Sequence, residues 1–410
     1  MMSQCSPTTS LRATVGTFAV SICTLLVAIT MLCAVSVADE PETHRGDVTD
    51  VRVIRRVEQH SYAGKVWQPF IIQGDKKKDL VVAFGAELSG KSDMGDILVS
   101  LSNDDGDSWS EPVHVFDHRQ RQGAIQFAYA NPVLFRASRQ AVIWCFAMRC
   151  PIVQRNSEES HLASAFSADS GRSWTPVEMA MRYGGPLIIV AGILETEIDG
   201  QKTFLLPAHR NTLQKDPLGS RDHFILSSTS LLEWKLETFI PQPTSGKVFL
   251  HEGHIAPGDT TGELKIVMRT ANYENDRLTT DPPRAYSSIS RDGGRTWSEA
   301  RAEPELHNAK SKAYFGRAAN GTHIYVYNDG PAQRDKAPGF PNGGRMALRY
   351  KIKSPGGAWS EERTFYDAGI KNSYPTLIEV EPGEFRCVWD SGTPDRARTH
   401  IHFGKFTLKP

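Results

Sequence analysis

The stretch Ser102-Asn103-Asp104-Asp105-Gly106-Asp107-Ser108-Trp109 decides the fold of this 410-residue chain, because the same phrase recurs along it. Its pattern, Ser-x-Asp-x-Gly-x-Ser/Thr-Trp, returns at 167–174 and 290–297. A degenerate copy of the phrase ends at Trp359. Between the second and third phrases, the corresponding position is occupied by Ser227, Ser230 and Trp234. The five tryptophans, at 109, 174, 234, 297 and 359, are separated by 65, 60, 63 and 62 residues. A period of this size predicts a repeat architecture.

Each phrase has the chemistry of a tight turn. Asp and Ser side chains bond to nearby backbone N–H groups, and Gly supplies a positive φ that other residues tolerate poorly. The Trp would fold back as an apolar plug. Turn chemistry accounts fully for Asp104, Asp169 and Asp292, so we interpret them as structural residues and not as catalytic ones.

Short β-type runs separated by turn residues make up the chain after its first 38 residues. A fold of many short strands with a long repeat is typical of a β-propeller. The 372 residues that follow residue 38 correspond to six repeats, so we predict an all-β, six-bladed β-propeller. Its last blade would join residues 373–408 to a first strand at 50–57. The runs expected to be strands are Asp79–Phe84, Ala141–Phe146, Thr203–Leu206, Glu263–Met268 and His323–Tyr327.

Residues 1–38 have the pattern of a secretory signal peptide. Arg12 is their only charge, an apolar stretch covers 15–35, and Ser36-Val37-Ala38 is a small-x-small cleavage site. We expect a flexible segment at 39–48, a single propeller domain at 49–410, and a secreted or periplasmic protein. The alternative is that the leader stays uncleaved as a membrane anchor, since the apolar stretch is about long enough to span.

Charge and cysteine content narrow the partners. Without the leader, the chain carries 46 basic and 47 acidic side chains, and its one basic cluster, Lys76-Lys77-Lys78, is typical of a solvated turn. We therefore expect no nucleic-acid partner, and we expect a monomer. Cys145, Cys150 and Cys387 remain, which is no disulfide framework, and buried free thiols are favoured. A Cys145–Cys150 bridge would require a turn after Met148.

The Asp-box phrases on six short-strand units resemble the sialidase (neuraminidase) superfamily over most of residues 60–408. The resemblance implies a retaining glycoside hydrolase that acts on a glycan without cofactor or metal. In that family arginines clamp a substrate carboxylate, which suits their planar bidentate geometry. The nucleophile is a neutral Tyr activated by a Glu, an exception to the two-carboxylate scheme. An Asp acts as acid and base on the leaving oxygen.

Candidates for these roles occur in the family's order. Tyr374 in Asn372-Ser373-Tyr374-Pro375 matches the nucleophile, and Glu252 in His251-Glu252-Gly253-His254 matches its activating carboxylate. Asp93, in the loop before the first Asp box, matches the acid/base residue. Arg269 and Arg345 match the middle and last arginines of the clamp.

The first arginine of the family pattern is missing. The matching stretch is Val66-Trp67-Gln68-Pro69-Phe70, with Trp67 or Gln68 where Arg is expected. Arg55, Arg56 or Arg210 could supply the charge from elsewhere. With two arginines, the sequence predicts weak activity on ordinary sialosides and better activity on a uronide or on a neutral sugar that stacks on Trp67.

Two other functions stay open at this point. A polysaccharide lyase on uronic-acid polymers would use His209-Arg210 and His254, and a carbohydrate-binding propeller would need no nucleophile. His251 and His254 flank Glu252, but this spacing is not the His-Glu-x-x-His of zinc proteases, so no metal site is predicted.

Overall fold

The computed structural model describes residues 44–138, 140–154, 157, 159–181, 187–189, 191–210, 223–245, 248–271, 273–274, 277–278, 284–308, 311–328, 345–393, 396 and 398–409. Their fold is all-β, as predicted, with a 3₁₀ turn at Val57–Gln59. Residues 41–410 form one compact unit. The predicted leader and residues 39–43 lie outside the described residues. No helix in the described ranges is long and apolar enough to cross a membrane.

The strands form successive sheets in chain order. After β1 (Val48–Arg56), a nine-stranded sheet combines two runs that share the single pair Gly95–Tyr129. Its first run is β2 (Ala63–Gln73), β3 (Leu80–Leu88), β4 (Gly95–Ser102) and β5 (Val113–Phe116). A short strand β6 (Arg121–Gln122) pairs with β7 (Ile125–Phe135), which opens the second run of β7, β8 (Ile143–Pro151), β9 (His161–Ser167) and β10 (Thr175–Val177).

The next sheet has six strands. Both β12 (Leu187–Ile189) and β13 (Leu194–Ile198) pair with β14 (Gln201–Arg210), which continues to β15 (His223–Ser228) and β16 (Glu233–Phe239). The outer neighbour of β16 is β11 (Ala180–Met181), in parallel.

Two four-stranded sheets follow. One holds β17 (Phe249–Pro257), β18 (Leu264–Ala271), β21 (Arg284–Ser290) and β22 (Arg301–His307), with a hairpin of β19 (Tyr273–Glu274) and β20 (Arg277–Leu278) beside it in sequence. The other holds β23 (Tyr314–Arg317), β24 (His323–Asn328), β25 (Leu348–Lys353) and β26 (Arg363–Tyr366).

The two ends of the described chain meet in the last sheet, as the sequence predicts. Its strands β27 (Asn372–Glu381), β28 (Glu384–Ser391) and β29 (His400–Thr407) come from the end of the chain, and β1 completes it by pairing with β29 from Val48↔Phe406 to Arg56↔His400. Arg45 also pairs with Asp367. The five runs expected to be strands overlap strands of the structure, namely β3, β8, β14, β18 and β24.

The Asp boxes are the turns that the sequence predicts. Ser102 Oγ donates to Asp104 Oδ1 at 2.8 Å and accepts from the Gly106 N–H, while Asp104 Oδ1 accepts from the Ser108 N–H at 2.9 Å. The second and third boxes repeat these bonds with Asp169 and Asp292. The Ser or Thr hydroxyl before each Trp donates to the other oxygen, Oδ2, so both carboxylate oxygens are engaged and each Asp has a structural role.

Gly106 shows why the box needs a glycine. Its φ is 90°, and a Cβ there would lie 2.2 Å from the ring of Phe403 on β29. The turn of one sheet therefore packs directly against the neighbouring sheet. The three cysteines described, Cys145, Cys150 and Cys387, are buried free thiols, as expected.

We expect Asp104→Ala to lower the free energy of unfolding by about 1–2 kcal/mol, because it leaves the Ser108 N–H and Ser102 hydroxyl without their acceptor. Asp107 in the same turn is the matched control, since its carboxylate is exposed and pairs only with the exposed Arg52. Asp107→Ala should change stability by less than about 0.5 kcal/mol. Urea unfolding measures both, and equal effects would contradict a specific role for Asp104.

Candidate active site

Four strands, β2, β7, β17 and β27, carry the same backbone irregularity at the same place in the repeat. In β2, β7, β17 and β27, pairing with the next strand skips two residues, after Trp67, Ala130, His251 and Ser373. The first skipped residue has a positive φ in every case: 50° at Gln68, 57° at Asn131, 47° at Glu252 and 56° at Tyr374. Left-handed conformations at residues other than Gly are uncommon and cluster at functional sites. The irregularity therefore marks a candidate site.

Glu252 and Tyr374 meet although 122 residues separate them. The Tyr374 hydroxyl donates to Glu252 Oε1 at 3.3 Å, and Arg269 donates to Glu252 Oε2 at 2.5 Å. Glu252 and Tyr374 are 7% and 4% exposed, so both contacts lie away from bulk water. This is the pairing that the resemblance implies: a phenol held by a carboxylate that can accept its proton.

The carboxylate of Glu252 stays ionised in this buried place. Burial raises its pKa, but the positive charges of Arg269 and Arg345 more than compensate, and the net effect lowers the pKa below its ordinary value. The Glu252 N–H donates to Nδ1 of His209 at 3.3 Å, which fixes the backbone at the bulge. Glu252 is thus set as a proton acceptor at neutral pH.

Three arginines surround Tyr374. Arg345 Cζ lies 5.4 Å from the centroid of the Tyr374 ring, and its carbonyl accepts from the Asn372 N–H at the start of β27. Arg398 Cζ lies 5.2 Å from the same centroid, and its carbonyl accepts from the Val66 N–H of β2. Arg269 reaches the pair through Glu252. Burial and the charges of Arg398 and Arg269 lower the pKa of Arg345, as expected for three close cations.

Arg398 is a site residue that the sequence reasoning missed. It lies in the segment between β28 and β29, far in sequence from the stretch where the first arginine of the pattern was sought. The proposed substitutes point elsewhere: Arg55 bonds to Ser110 O at 2.8 Å and to Glu111, and Arg56 bonds to His400. The side chain of Arg210 lies outside the described residues. The count of two arginines was therefore too low.

Asp93 lies beside Arg398. Its carboxylate is 4.0 Å from the Arg398 guanidinium and its side chain is 20% exposed. The Asp93 N–H donates to Glu87 at 2.8 Å, which anchors the loop between β3 and β4. This carboxylate is more open to water than Glu252, and it adjoins the cationic side of the site.

Trp67 packs against Tyr374 and Arg398 and is 1% exposed. Arg398 Cζ lies 4.9 Å from its ring, and the Trp67 and Tyr374 rings meet edge to face at 6.5 Å. Its other neighbours are Met94, Ala130 and Met148. The indole face is covered by protein in this structure, so it is not the open stacking platform that the sequence suggested.

Gln68 and Asn131 were also missed as site residues. Both are buried, at 6% and 2% exposure, and neither Gln68 Oε1 nor Asn131 Oδ1 has a hydrogen-bond partner among the described residues. They hold the same backbone position as Glu252 and Tyr374. A sequence signal existed: Gln68-Pro69, Asn131-Pro132 and Tyr374-Pro375 recur in step with the tryptophans, with Glu252-Gly253 between them.

Of the two histidines considered for a lyase, His209 has a structural hydrogen bond and His254 lines a cavity. Burial and neighbouring charges lower the pKa of His209 and of His254 well below the usual value, so both rings are neutral. Nδ1 of His209 accepts the Glu252 N–H, and its ring stacks on His251 with centroids 4.5 Å apart. His254 lines a cavity of about 570 Å³ together with Tyr314 and Thr376, and its Nε2 has no hydrogen-bond partner among the described residues.

One group of described residues brings three potential metal ligands together: Asp96, Asp117 and His118. His118 Nδ1 lies 2.6 Å from Asp96 Oδ1, and Asp117 forms an ion pair with Arg119 at 2.7 Å. These are hydrogen-bond geometries with the ligand atoms already engaged. We assign the group to structure.

Comparisons with known proteins agree with the fold. The model of a BNR repeat-like domain matches residues 78–387. A protein of unknown function from Dyadobacter fermentans has a similar structure, with a TM-score of 0.62 and 15% identity over 90% of this chain and 100% of that one. The Hadza microbial sialidase Hz136 is similar at a TM-score of 0.65 and 16% identity, covering 87% and 68% of the two chains.

The intramolecular trans-sialidase from Ruminococcus gnavus is similar at a TM-score of 0.62 and 12% identity, over 87% of this chain and 97% of that one. No curated protein sequence matches this chain at a significant level. At these identities the structural likeness establishes the fold alone.

We expect Arg269→Met to lower the free energy of unfolding by about 3–5 kcal/mol at pH 7, because it leaves the buried Glu252 carboxylate unpaired. The double variant Glu252→Gln/Arg269→Met should recover part of this loss. The pKa of Glu252 is lowered in the wild type, so its stabilisation is present above the unfolded pKa and is lost as the pH falls.

In Arg269→Met, burial acts on Glu252 without its principal counter-charge, so the Glu252 pKa should rise relative to the wild type and protonation should relieve part of the penalty at low pH. The difference in unfolding free energy between wild type and variant should therefore shrink between pH 7 and pH 4, as measured by urea unfolding. A difference independent of pH would contradict the pairing.

Proposed function

Because this chain belongs to the BNR repeat-like domain family and is a sialidase-like member of it, we propose that it is a retaining glycoside hydrolase of the sialidase type. The observation that carries the proposal is the contact of the Tyr374 hydroxyl with Glu252, encircled by Arg269, Arg345 and Arg398. We also propose that the sheets are the blades of a six-bladed β-propeller, in which β12 and β13 together form one inner strand. The substrate would be a terminal sugar bearing a carboxylate, released from a glycan.

The arginines favour an acidic sugar. Three guanidinium groups lie around the buried Tyr374. Arg269 is already paired with the Glu252 carboxylate, and Arg345 and Arg398 lie at the Tyr374 ring. Planar bidentate pairing with a carboxylate is what such groups do well. Because Arg398 supplies a third guanidinium group beside Tyr374, we no longer expect weak activity on sialosides, and we propose α-sialosides as the substrates to test first.

The chemistry of the first half-reaction follows from the placement of the acids. Glu252 accepts the proton from Tyr374 Oη, and the phenolate oxygen forms a bond to the anomeric carbon. The bond from that carbon to the leaving oxygen breaks, and Asp93 gives its proton to the leaving oxygen. A phenol that is neutral before the reaction suits this site, because a carboxylate nucleophile would carry its charge throughout and be repelled by the carboxylate on the anomeric carbon.

The second half-reaction reverses these roles. Asp93 takes a proton from a water molecule, whose oxygen attacks the anomeric carbon from the face that the leaving group vacated. The Tyr374 oxygen departs and regains its proton from Glu252. Two displacements retain the configuration at the anomeric carbon. The buried Gln68 and Asn131 amides offer neutral hydrogen-bond partners for sugar hydroxyls.

The deciding experiment is hydrolysis of a fluorogenic α-sialoside beside a uronide and a neutral glycoside. We expect cleavage of the sialoside with release of the sugar in its retained configuration. Tyr374→Phe should lower kcat by about 10³-fold or more while the affinity for a carboxylate-bearing sugar analogue changes little. Tyr350→Phe is the control, since its hydroxyl donates to Asp47 near β1.

Two results would refute this proposal. Release of an unsaturated, ultraviolet-absorbing product from a uronic-acid polymer would identify a lyase. Binding without turnover in the wild type, unchanged in Tyr374→Phe, would identify a carbohydrate-binding protein.

The role of Arg398 is tested separately. Arg398→Gln should lower kcat/KM for the carboxylate-bearing glycoside by roughly 10- to 100-fold, because one charge-assisted contact is lost. The methyl ester of the same glycoside should be affected far less. Arg55→Gln, which removes a buried arginine engaged with Ser110 and Glu111, is the control. A larger effect of Arg55→Gln would return the clamp to that residue.

A further inference from the structure

Lys312, two residues before β23, holds the position in its repeat that Glu252 and Tyr374 hold in theirs. It lies 60 residues after Glu252 and 62 before Tyr374. Two residues later Tyr314 pairs with Val326, just as His254 follows Glu252 and pairs with Val267. The repeat therefore places Lys312 at the level of the Glu252–Tyr374 pair.

The ammonium group of Lys312 is buried against the nucleophile. Lys312 is 1% exposed, and its Nζ lies 5.6 Å from the centroid of the Tyr374 ring. Nζ donates to Thr376 Oγ1 at 3.2 Å, and Thr376 donates to the Pro69 carbonyl at 3.1 Å. Among the residues described, no carboxylate lies within salt-bridge distance of Nζ. A buried ammonium without a directly bonded counter-ion is costly, and such groups concentrate at functional sites.

The charges that face Lys312 come from two carboxylates. Burial lowers its pKa to about 8, while Glu252 on β17 and Asp390 on β28 act in the opposite direction. His254 also faces it, and that ring is neutral because burial and the charge of Lys312 depress its pKa. Tyr314, the first residue of β23, has a buried phenol whose pKa is raised by burial. Lys312 is thus a cation at neutral pH and becomes neutral in mild alkali.

We propose that Lys312 is a positioning residue for the nucleophile Tyr374. The fixed positive charge of Lys312 beside the Tyr374 ring stabilises the negative charge that moves from Glu252 to Tyr374 before attack. The proposal rests on the glycosidase function proposed above. When the Tyr374 proton passes to Glu252, the anionic charge leaves the carboxylate beside Arg269 and enters the phenolate above Lys312. A preorganised charge in a site without bulk water stabilises such a transfer without reorganisation. The same charge favours departure of the phenolate in the second displacement, and Lys312 keeps its proton throughout.

Kinetics of Lys312→Met test the proposal. This change keeps the length of the side chain and removes the charge. We expect kcat to fall by about 10- to 100-fold with KM changed by less than about threefold. In the wild type kcat should decline as the pH rises through about 8, and this decline should be absent in Lys312→Met. Lys312→Arg should restore part of kcat and keep it to higher pH.

Lys265→Met is the matched control, because Lys265 is partly buried and pairs with Glu303 on the outer strand β22. It should leave kcat and its pH profile unchanged. A Lys312→Met enzyme that retains the alkaline decline, or loses activity only through KM, would overturn the proposal.

A second measurement needs no turnover. The ¹³Cε resonance of Lys312, assigned by its loss in Lys312→Met, should titrate near pH 8 in the wild type. In Glu252→Gln it should titrate at lower pH, because a charge that raises the Lys312 pKa is removed. An unchanged midpoint would overturn the coupling of Lys312 to the pair. A shifted midpoint in an enzyme that cleaves no glycoside would refute the glycosidase instead and leave that coupling standing.

Discussion

The left-handed residue at the bulge of β2, β7, β17 and β27 is the constraint on which the site depends. Such a residue costs on the order of 1–3 kcal/mol and persists only where its surroundings hold it. Asp390 holds two of these bulges, by accepting the Gln68 N–H at 3.1 Å and the Ser373 hydroxyl. Gly253 donates to His223 Nε2 at 3.0 Å at the third, where a Cβ would lie 2.7 Å from that nitrogen. The strain turns the side chains of Glu252 and Tyr374 toward each other.

Charge balance explains why so many ionisable groups can share one buried place. Arg269, Arg345, Arg398 and Lys312 bring positive charge, and Glu252, Asp390 and Asp93 bring negative charge. Burial raises the pKa of Asp390, against the charges of Arg398 and Arg345, and its hydrogen bonds to Ser373 and Gln68 tie this carboxyl to the strands that carry the site. These groups thus contribute both to the charge balance of the site and to the hydrogen bonds that hold its strands. The effects of substitutions at two of these groups on stability should therefore be strongly non-additive.

The fold was predictable because its signals are local. The side chains of the Asp box form hydrogen bonds within their own turn, as in the bonds of Asp104 to Ser102 and Ser108. A short phrase therefore specifies a hairpin wherever it occurs. The spacing of the tryptophans then counts the hairpins. The pairing of β1 with β29 follows from the same period, since the last unit lacks one strand.

The amino-acid sequence by itself determined the strands, the turns, and the identity of Glu252, Tyr374, Arg269 and Arg345 as partners in a family pattern. Only the tertiary structure decided that Arg398 takes part, because its place between β28 and β29 carries no motif and its contact with Trp67 and Tyr374 arises when the last sheet packs beside β2. The burial of Trp67, the unpartnered oxygens of Gln68 and Asn131, and the ammonium of Lys312 beside Tyr374 were likewise decided by packing. A repeat period fixes which residues share a level of the fold, but the distances between residues of different sheets depend on how the sheets pack.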